Sequence, residues 1–478
     1  MMQYFEIFTN ILLLISLGWY LITNLQWYNY KLERVILKHH KQQWHIIYFV
    51  TPIVLFYLLD FLYFAIYFYL LHLSAFYLWN KNLSKALVIT SRVKRFFGIL
   101  FGFTFVVDGL CFLSEECHYG VFIVLLGTYA VTTLMEKMFF ISYKHKAKQR
   151  LKTLNNLTTV AITASYGKTS IKNYLYQVLR KNFVVYMTPR SVNTIGGLCK
   201  DVNDDLPYDT EVYIAEAGAR EKGDIEEITM FLEPEYVIIG SVGEQHIEYF
   251  KTIDNIIHTK MEILKSPKLI HGFVHDSVPI LEYPTITKFP NNLFITRSDL
   301  NGIWFDIDID GKVEHFHAPV LGSFNAINLT AVILVAHKLG MDIEEIKIAL
   351  HNIKPVDHRL HLSKVNGKVI LDDSFNGNLE GMLEAVKISS TYDGRKVIIT
   401  PGIVESTDVA NIKLAQAIDE VFDIAIITGS INQQVLNNYI RKAHVVILKD
   451  KSEMEICLLE NTQIGDLILF ANDAPNFI

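Results

Sequence analysis

The sequence predicts an α/β protein behind an apolar helical region: N-terminal transmembrane helices, then a central domain with a mostly parallel sheet, then a smaller C-terminal α/β domain. Three observations lead there. Long apolar runs crowd residues 5–140. Beyond residue 158, segments rich in Val and Ile alternate with helical stretches, the pattern of parallel sheets. A short apolar strand also runs straight into Ser165-Tyr166-Gly167-Lys168-Thr169-Ser170, and a helical pattern follows at once.

The apolar runs fall at residues 5–24, 44–59, 61–79, 96–113 and 119–140. Each is near the ~20 residues a spanning helix needs, the second being short. A cleavable signal peptide accounts for the first run only. Pro52 and Asp60 interrupt the stretch Trp44–Trp79, which leaves a re-entrant or interfacial placement open. Lys31, Arg34, Lys38 and Lys41 follow the first run, Lys81, Lys85, Arg92, Lys94 and Arg95 the third, and Lys144, Lys146, Lys148, Arg150 and Lys152 the fifth. The other two connections carry Asp60 and Glu115-Glu116. The positive-inside rule then puts the N-terminus outside and everything after Phe140 in the cytoplasm. Asp108 lies within the fourth run, where a packing residue facing a partner helix is expected, since no second intramembrane charge stands out.

Composition agrees. The chain has 478 residues, 51% of them apolar, with net charge −6. Its mean hydropathy is +0.25 and its pI near 6.3. That length suits about three domains at the usual ~150 residues each. The charge excludes nucleic-acid binding by bulk electrostatics. The four cysteines, Cys111, Cys117, Cys199 and Cys457, are scattered and form no metal-type CxxC, so neither a zinc site nor a disulfide framework is expected.

In the remaining two-thirds, strands are expected at 159–164, 183–187, 211–216, 236–241, 368–372, 396–400, 423–428, 444–448 and 467–470. A break near Ile353-Lys354-Pro355-Val356 separates a final unit with its own strand–helix alternation, the size of a small Rossmann-like domain. The domain reading is therefore 1–142 membrane region, 143–156 basic linker, 157–355 central domain and 356–478 C-terminal domain.

The strand–SYGKTS–helix stretch is a phosphate-binding loop of P-loop type. Backbone N–H groups of Ser165, Gly167 and Ser170 and a helix N-terminus cradle phosphate oxygens, Lys168 reaches the terminal phosphates, and Thr169 can hold Mg²⁺. Ala164 stands where such loops often have glycine. Glu216 ends an apolar strand, placed to bind Mg²⁺ or order its water, though strand-end carboxylates are also ordinary solvated groups. His246 follows another strand; a metal ligand there competes with a structural histidine. Lys260 on an amphipathic helix reads by pattern alone as a surface lysine. Asn325 and Asn328, three apart at a helix start, can read an adenine edge or cap the helix. Arg359 follows the domain break and can reach across a cleft to a phosphate. Asp372-Asp373-Ser-Phe-Asn376-Gly-Asn378 ends a strand in a binding position, or forms a turn.

In this order the pieces resemble the Mur ligase family, which forms amide bonds in cell-wall precursor synthesis. The resemblance covers about residues 157–478. It rests on AITASYGKTS, SVNTIGG (Ser191–Gly197), AEAGAR (Ala215–Arg220), Gln245-His246 with Lys260 downstream, the Asn325/Asn328 helix, HRL (His358–Leu360) and DDSFNGN (Asp372–Asn378). Within the family, the EAGA, GEQHIEYF, HTKMEIL and DDSFN stretches are most similar to the type that adds D-alanyl-D-alanine to UDP-N-acetylmuramoyl-tripeptide. The resemblance implies ATP and two Mg²⁺, one on Thr169 and Glu216, the other on His246, Glu216 and a carbamylated Lys260. It implies that Asn325 and Asn328 flank adenine, that Arg359 and Asp373 close over the nucleotide, and that Ser191, Asn193, Thr194 and Asn376 face the substrate. The apolar runs stand where the family keeps its uridine-gripping domain. Membrane lipid and membrane-bound cell-wall synthesis proteins are the further partners expected, at the inner (cytoplasmic) membrane, with no nucleic acid. Two other readings remain: a membrane-associated poly-γ-glutamate-type synthetase, and a nucleotide-binding membrane scaffold without ligase chemistry.

Overall fold

The computed structural model describes residues 2–37, 39–83, 85–114, 120–243, 247–280, 283–290, 292–374, 378–404, 406–448 and 450–472. The chain divides into two compact units, Met1–Tyr143 and Lys144–Ile478.

The first unit is helical. Its main helices are Met2–Trp27, Gln43–Leu58, Phe61–Lys81, Ser91–Ser114 and the start of Gly120–Thr153. Among the described residues, Met2–Trp27, Phe61–Lys81 and Gly120–Thr153 are long and apolar enough to cross a membrane, and Gln43–Leu58 is a shorter apolar helix. Leu13, Leu17, Phe64, Phe68, Phe96 and Val124 share its core. Large apolar side chains also cover the outside, Phe105 being 83% exposed and Leu113 80%. Polar groups inside are tied between helices: Asn10 Nδ2 donates to Asp108 Oδ1 (2.7 Å), Ser16 Oγ meets His72 Nε2 (3.1 Å), and Asn24 Oδ1 meets His39 Nε2 (2.8 Å). Such bonds hold apolar helices together where hydrophobic contrast is weak.

The second unit opens with a six-stranded, all-parallel sheet of order β2-β3-β1-β4-β5-β6. Its strands are β1 (Thr158–Thr163), β2 (Val185–Met187), β3 (Val212–Glu216), β4 (Tyr236–Ile239), β5 (His271–His275) and β6 (Ile286–Phe289). Buried on both faces, β1, β3 and β4 read as unbroken apolar runs, which made them visible in sequence. Helices Lys168–Leu179 and Ser323–Lys338 bury Ile171, Tyr174, Leu175, Leu329 and Val332 in the same core as Val160, Ile162 and Ile214. An antiparallel meander follows: β7 (Phe294–Asp299), β8 (Gly302–Ile309) and β9 (Lys312–Ala318). Asp310-Gly311 turns β8 into β9 with both φ angles positive, 53° and 83°, as a tight hairpin requires.

The last sheet has order β10-β11-β15-β12-β13-β14. It comprises β10 (His361–Val365), β11 (Lys368–Asp373), β12 (Lys396–Thr400), β13 (Ile424–Thr428), β14 (His444–Leu448) and β15 (Leu467–Ala471). All pairs are parallel except β10 with β11. One face packs on helices around Leu371, Ile398 and Leu469, the other around Val397, Ile426 and Phe470.

Candidate active site

The parallel order puts β1 between β3 and β4, so the loop after β1 leaves the middle of the sheet at its carboxyl edge. That edge is where open α/β sheets bind ligands. The register aligns Ile162 with Glu216 and Thr163 with Ile239, bringing the three strand ends level.

The loop is pinned to the segment after β4. Ser165 N and Tyr166 N both donate to Ser241 O (2.8 and 3.2 Å), and Ser165 Oγ donates to Gly243 O (3.0 Å). Gly167 has φ +84° and precedes the helix Lys168–Leu179. A Cβ there would sit 2.5 Å from Asn328 Oδ1, so both conformation and space demand glycine. Ala164 is accommodated differently. It is absent from the residues at positive φ, and a Cβ on Gly240 would come within 2.9 Å of the Ala164 methyl. At this contact the loop contributes the methyl and the end of the neighbouring strand contributes the glycine.

Lys168 folds back over its own loop, donating to Ala164 O (2.5 Å) and Ser165 O (3.0 Å). Burial pulls its pKa down to about 8, Glu216 opposes the shift, and Arg359 adds to it. Lys260 ends the helix Ile253–Met261, is 5% exposed, and does not lie on the surface as its pattern alone implies. Burial, reinforced by the Lys168 charge, lowers its pKa to about 7. Two crowded lysines with weakened protons form an anion-seeking pocket.

Glu216 is 1% exposed, and its Oε1 lies 2.8 Å from Lys172 Nζ, itself 1% exposed. Lys172 also donates to Thr188 O (2.7 Å) and to Arg190 O. Sequence reasoning missed Lys172. It stands one turn after Lys168 on the same helix, and that spacing, which puts both on one face, was the available signal. Despite the short ion-pair distance Glu216 Oε1 has no aligned hydrogen bond, and Thr163 Oγ1 is likewise buried without one. A carboxylate with an unsatisfied buried oxygen at a strand end fits a divalent cation.

Arg359 comes from the connection before the last sheet. It sits between two residues at positive φ, His358 (60°) and Leu360 (52°). Two acids hold this segment: Asp372 Oδ2 pairs with His358 Nδ1 (2.7 Å), and Asp373 Oδ1 accepts from Leu360 N (3.1 Å). The Arg359 charge acts on Lys168, and Asp373 and Glu216 act on Arg359 in turn. The break near residue 355 thus delivers an arginine to the phosphate loop.

The asparagines are engaged. Asn325 Nδ2 donates to Leu321 O (2.7 Å), Asn328 Nδ2 donates to Asn325 Oδ1 (3.2 Å), and both are buried. These bonds brace the helix start beside the loop. Thr194 caps the helix Ile195–Lys200 by accepting from Gly197 N. Asn193 O accepts from Gly218 N (2.8 Å), and its side chain fills the space beside that glycine. Ser191 is exposed, and Thr169 and Ser170 form the first helical turn after Gly167. His246 and Asn376 lie outside the described residues.

The profile of the Mur ligase middle domain matches residues 162–279. The chain is 26% identical over 338 residues to a UDP-N-acetylmuramoyl-tripeptide–D-alanyl-D-alanine ligase of Bacillus subtilis, covering 65% of this chain and 72% of that protein. A ligase of the same name from Borreliella burgdorferi is 31% identical over 241 residues, covering 48% and 51%. The fold is shared with MurF of Acinetobacter baumannii (TM-score 0.60, 21% identity, 70% and 77% covered). It is shared too with MurF of Thermotoga maritima in complex with ADP (TM-score 0.58, 21% identity, 69% and 80% covered). The chain thus carries a Mur ligase middle domain and is similar in sequence and in fold to ligases of the MurF type.

Proposed function

We propose that the chain is an ATP-dependent ligase that joins D-alanyl-D-alanine to the terminal carboxylate of a UDP-N-acetylmuramoyl-tripeptide. The observation that carries this is the convergence of Lys168, Lys260, Glu216 and Arg359 on one loop, in the fold of the ligases it resembles. The peptide carboxylate attacks the γ-phosphate of ATP, giving an acyl phosphate and ADP. The amine of D-alanyl-D-alanine then displaces inorganic phosphate through a tetrahedral intermediate.

Carboxylate and triphosphate repel each other, so the first step needs fixed positive charge. Lys168 supplies it once phosphate oxygens replace the loop carbonyls it now holds. Arg359 supplies it from the last domain and closes the site against water, which would hydrolyse the acyl phosphate. Thr169, Glu216, His246 and Lys260 would hold two Mg²⁺, which neutralise charge on the phosphates when bound. Lys260 is suited to carbamylation, since a lysine with pKa about 7 offers free amine at neutral pH. Ser191, Asn193, Thr194 and Asn376 face the UDP-peptide in this reading.

The first unit is a multi-pass anchor in the cytoplasmic membrane, with the catalytic domains in the cytoplasm. Its apolar exterior and the basic residues after its runs support this. The anchor keeps the enzyme beside membrane-bound cell-wall synthesis.

One assay tests the activity. Solubilised full-length chain with ATP, Mg²⁺, UDP-tripeptide and D-alanyl-D-alanine should release phosphate and form the pentapeptide. Phosphate release with glutamate alone would point to a poly-γ-glutamate-type synthetase. No phosphate release with any acceptor would leave a nucleotide-binding scaffold.

A further inference from the structure

The first unit contains a cavity of about 350 Å³ that the ligase reaction does not use. We propose that it is a binding site for a primary ammonium group carried on an apolar stem. The inference shares with the proposed function only the placement of this unit in a bilayer.

Helices Met2–Trp27 and Ser91–Ser114 contribute Asn10 and Asp108, and the bend between Leu58 and Phe61 contributes Asp60. Glu6 stands one helical turn before Asn10. Asn10 and Asp108 are each 6% exposed and joined by the 2.7 Å bond from Asn10 Nδ2 to Asp108 Oδ1. That bond leaves Asn10 Oδ1 and Asp108 Oδ2 buried and without hydrogen-bond partners. Both orphans are acceptors, and one of them belongs to a carboxylate, so a cationic group with two or more N–H donors satisfies both oxygens and the charge at once. A primary ammonium has three N–H donors and a compensating charge, whereas a hydroxyl has one donor and none. An intramembrane acid left half-satisfied is costly to keep and marks a site.

The lining narrows the ligand further. It includes the three carboxylates Glu6, Asp60 and Asp108 and, among the described residues, no lysine or arginine. A phosphate-bearing headgroup would find no counter-charge there. One amide oxygen and one carboxylate oxygen are left without partners here, far short of the roughly six oxygens a bare divalent cation gathers. Phe61, Phe64 and Phe112 supply apolar and aromatic walls for the stem, and ring faces favour a cation. Asp60 and Glu6 are exposed, giving the ligand an entry that attracts positive charge.

The test uses the full chain in phosphatidylcholine nanodiscs, titrated calorimetrically with octylamine, octanoate or octanol against empty nanodiscs. Octylamine should bind saturably at one site, and the other two should not. Asp108→Asn and Asn10→Leu should each weaken it about tenfold or more, the value of a charge-assisted hydrogen bond. The exposed Asp60→Asn, which leaves the buried pair intact, should weaken it by a smaller factor with an unchanged melting temperature. Equal binding of octanol or octanoate, or binding unaltered in all three variants, would each overturn the proposal.

Discussion

The two sides of the candidate active site are built from opposite electrostatics. The loop side buries lysines: burial lowers the pKa of Lys168 and of Lys260, the Lys168 charge adds to the shift at Lys260, and Lys172 is neutralised by Glu216. The side contributed by the last sheet is acidic: Asp372 and Asp373 hold His358 and Leu360 and leave one arginine, Arg359, reaching toward the loop. The first side is a strained cationic pocket that awaits an anion. The second is a relaxed clamp whose purpose is aim. Removing a charge should therefore lower turnover on both sides, but raise stability on the cationic side at Lys260 and leave it nearly unchanged on the acidic side, and that contrast can be broken experimentally.

The largest effect is expected on the cationic side. Lys168→Ala removes the charge nearest the transferred phosphate and should lower turnover by about 10²–10³ or more. Pentapeptide formation under saturating ATP measures this, and unchanged turnover would remove the loop from the mechanism.

Lys260 separates strain from function. Its folded pKa of about 7 is below the unfolded value of 10.5, so the native state binds this proton more weakly. The resulting cost to stability is fully present below about pH 7 and fades as pH rises toward 10.5. Lys260→Met should abolish turnover yet raise the melting temperature at pH 7, with the gain shrinking by pH 9.5. In the unaltered chain, turnover should rise with pH through about 7 and respond to added bicarbonate, because carbamylation needs the free amine. A variant less stable than the parent at pH 7 would refute the strain.

On the acidic side, Asp373→Asn should cost little stability, since Leu360 N keeps an acceptor. Loss of the charge that fixes Arg359 should still reduce kcat by about tenfold, with a smaller change in the KM for ATP. An effect confined to KM would mean that Arg359 only binds nucleotide.

Much of this was legible before the fold. The nine strands expected from apolar runs all occur; the central ones are buried on both faces and leave continuous Val/Ile segments, and the edge strands β2 and β14 keep the same apolar pattern while partly exposed. The meander β7–β9 was not read, although Asp310-Gly311 between alternating segments is a hairpin signal, and neither were β5, β6 and β10, short strands in which His, Lys, Thr or Ser interrupts the apolar run. Lys260 and Lys172 show the firmer limit. A lysine on an amphipathic helix reads as solvent-facing, and only closure of the sheet around Glu216 and Lys168 shows it to be inside. Asn325 and Asn328 read from sequence both as helix caps and as ligand contacts, because a side-chain amide serves either role, and their mutual hydrogen bond is compatible with both.

The smallest effect probes the loop itself. Ala164 and Gly240 meet where the phosphate loop crosses the end of β4, and a second methyl at Gly240 would lie 2.9 Å from the first and 3.2 Å from Ile171 Cδ1. Gly240→Ala should therefore destabilise the chain by about 1–3 kcal/mol through overpacking. Ala164→Gly alone opens only a methyl-sized gap and should cost about 1 kcal/mol. If the contact is a true exchange of glycine between neighbouring strand ends, the double variant recovers part of the Gly240→Ala loss, because one methyl again fills the space. A denaturant-derived double-mutant cycle with a coupling of at least about 0.5 kcal/mol measures it. Strict additivity would mean that the two positions do not share that space, and that Ala164 is tolerated for its backbone conformation alone.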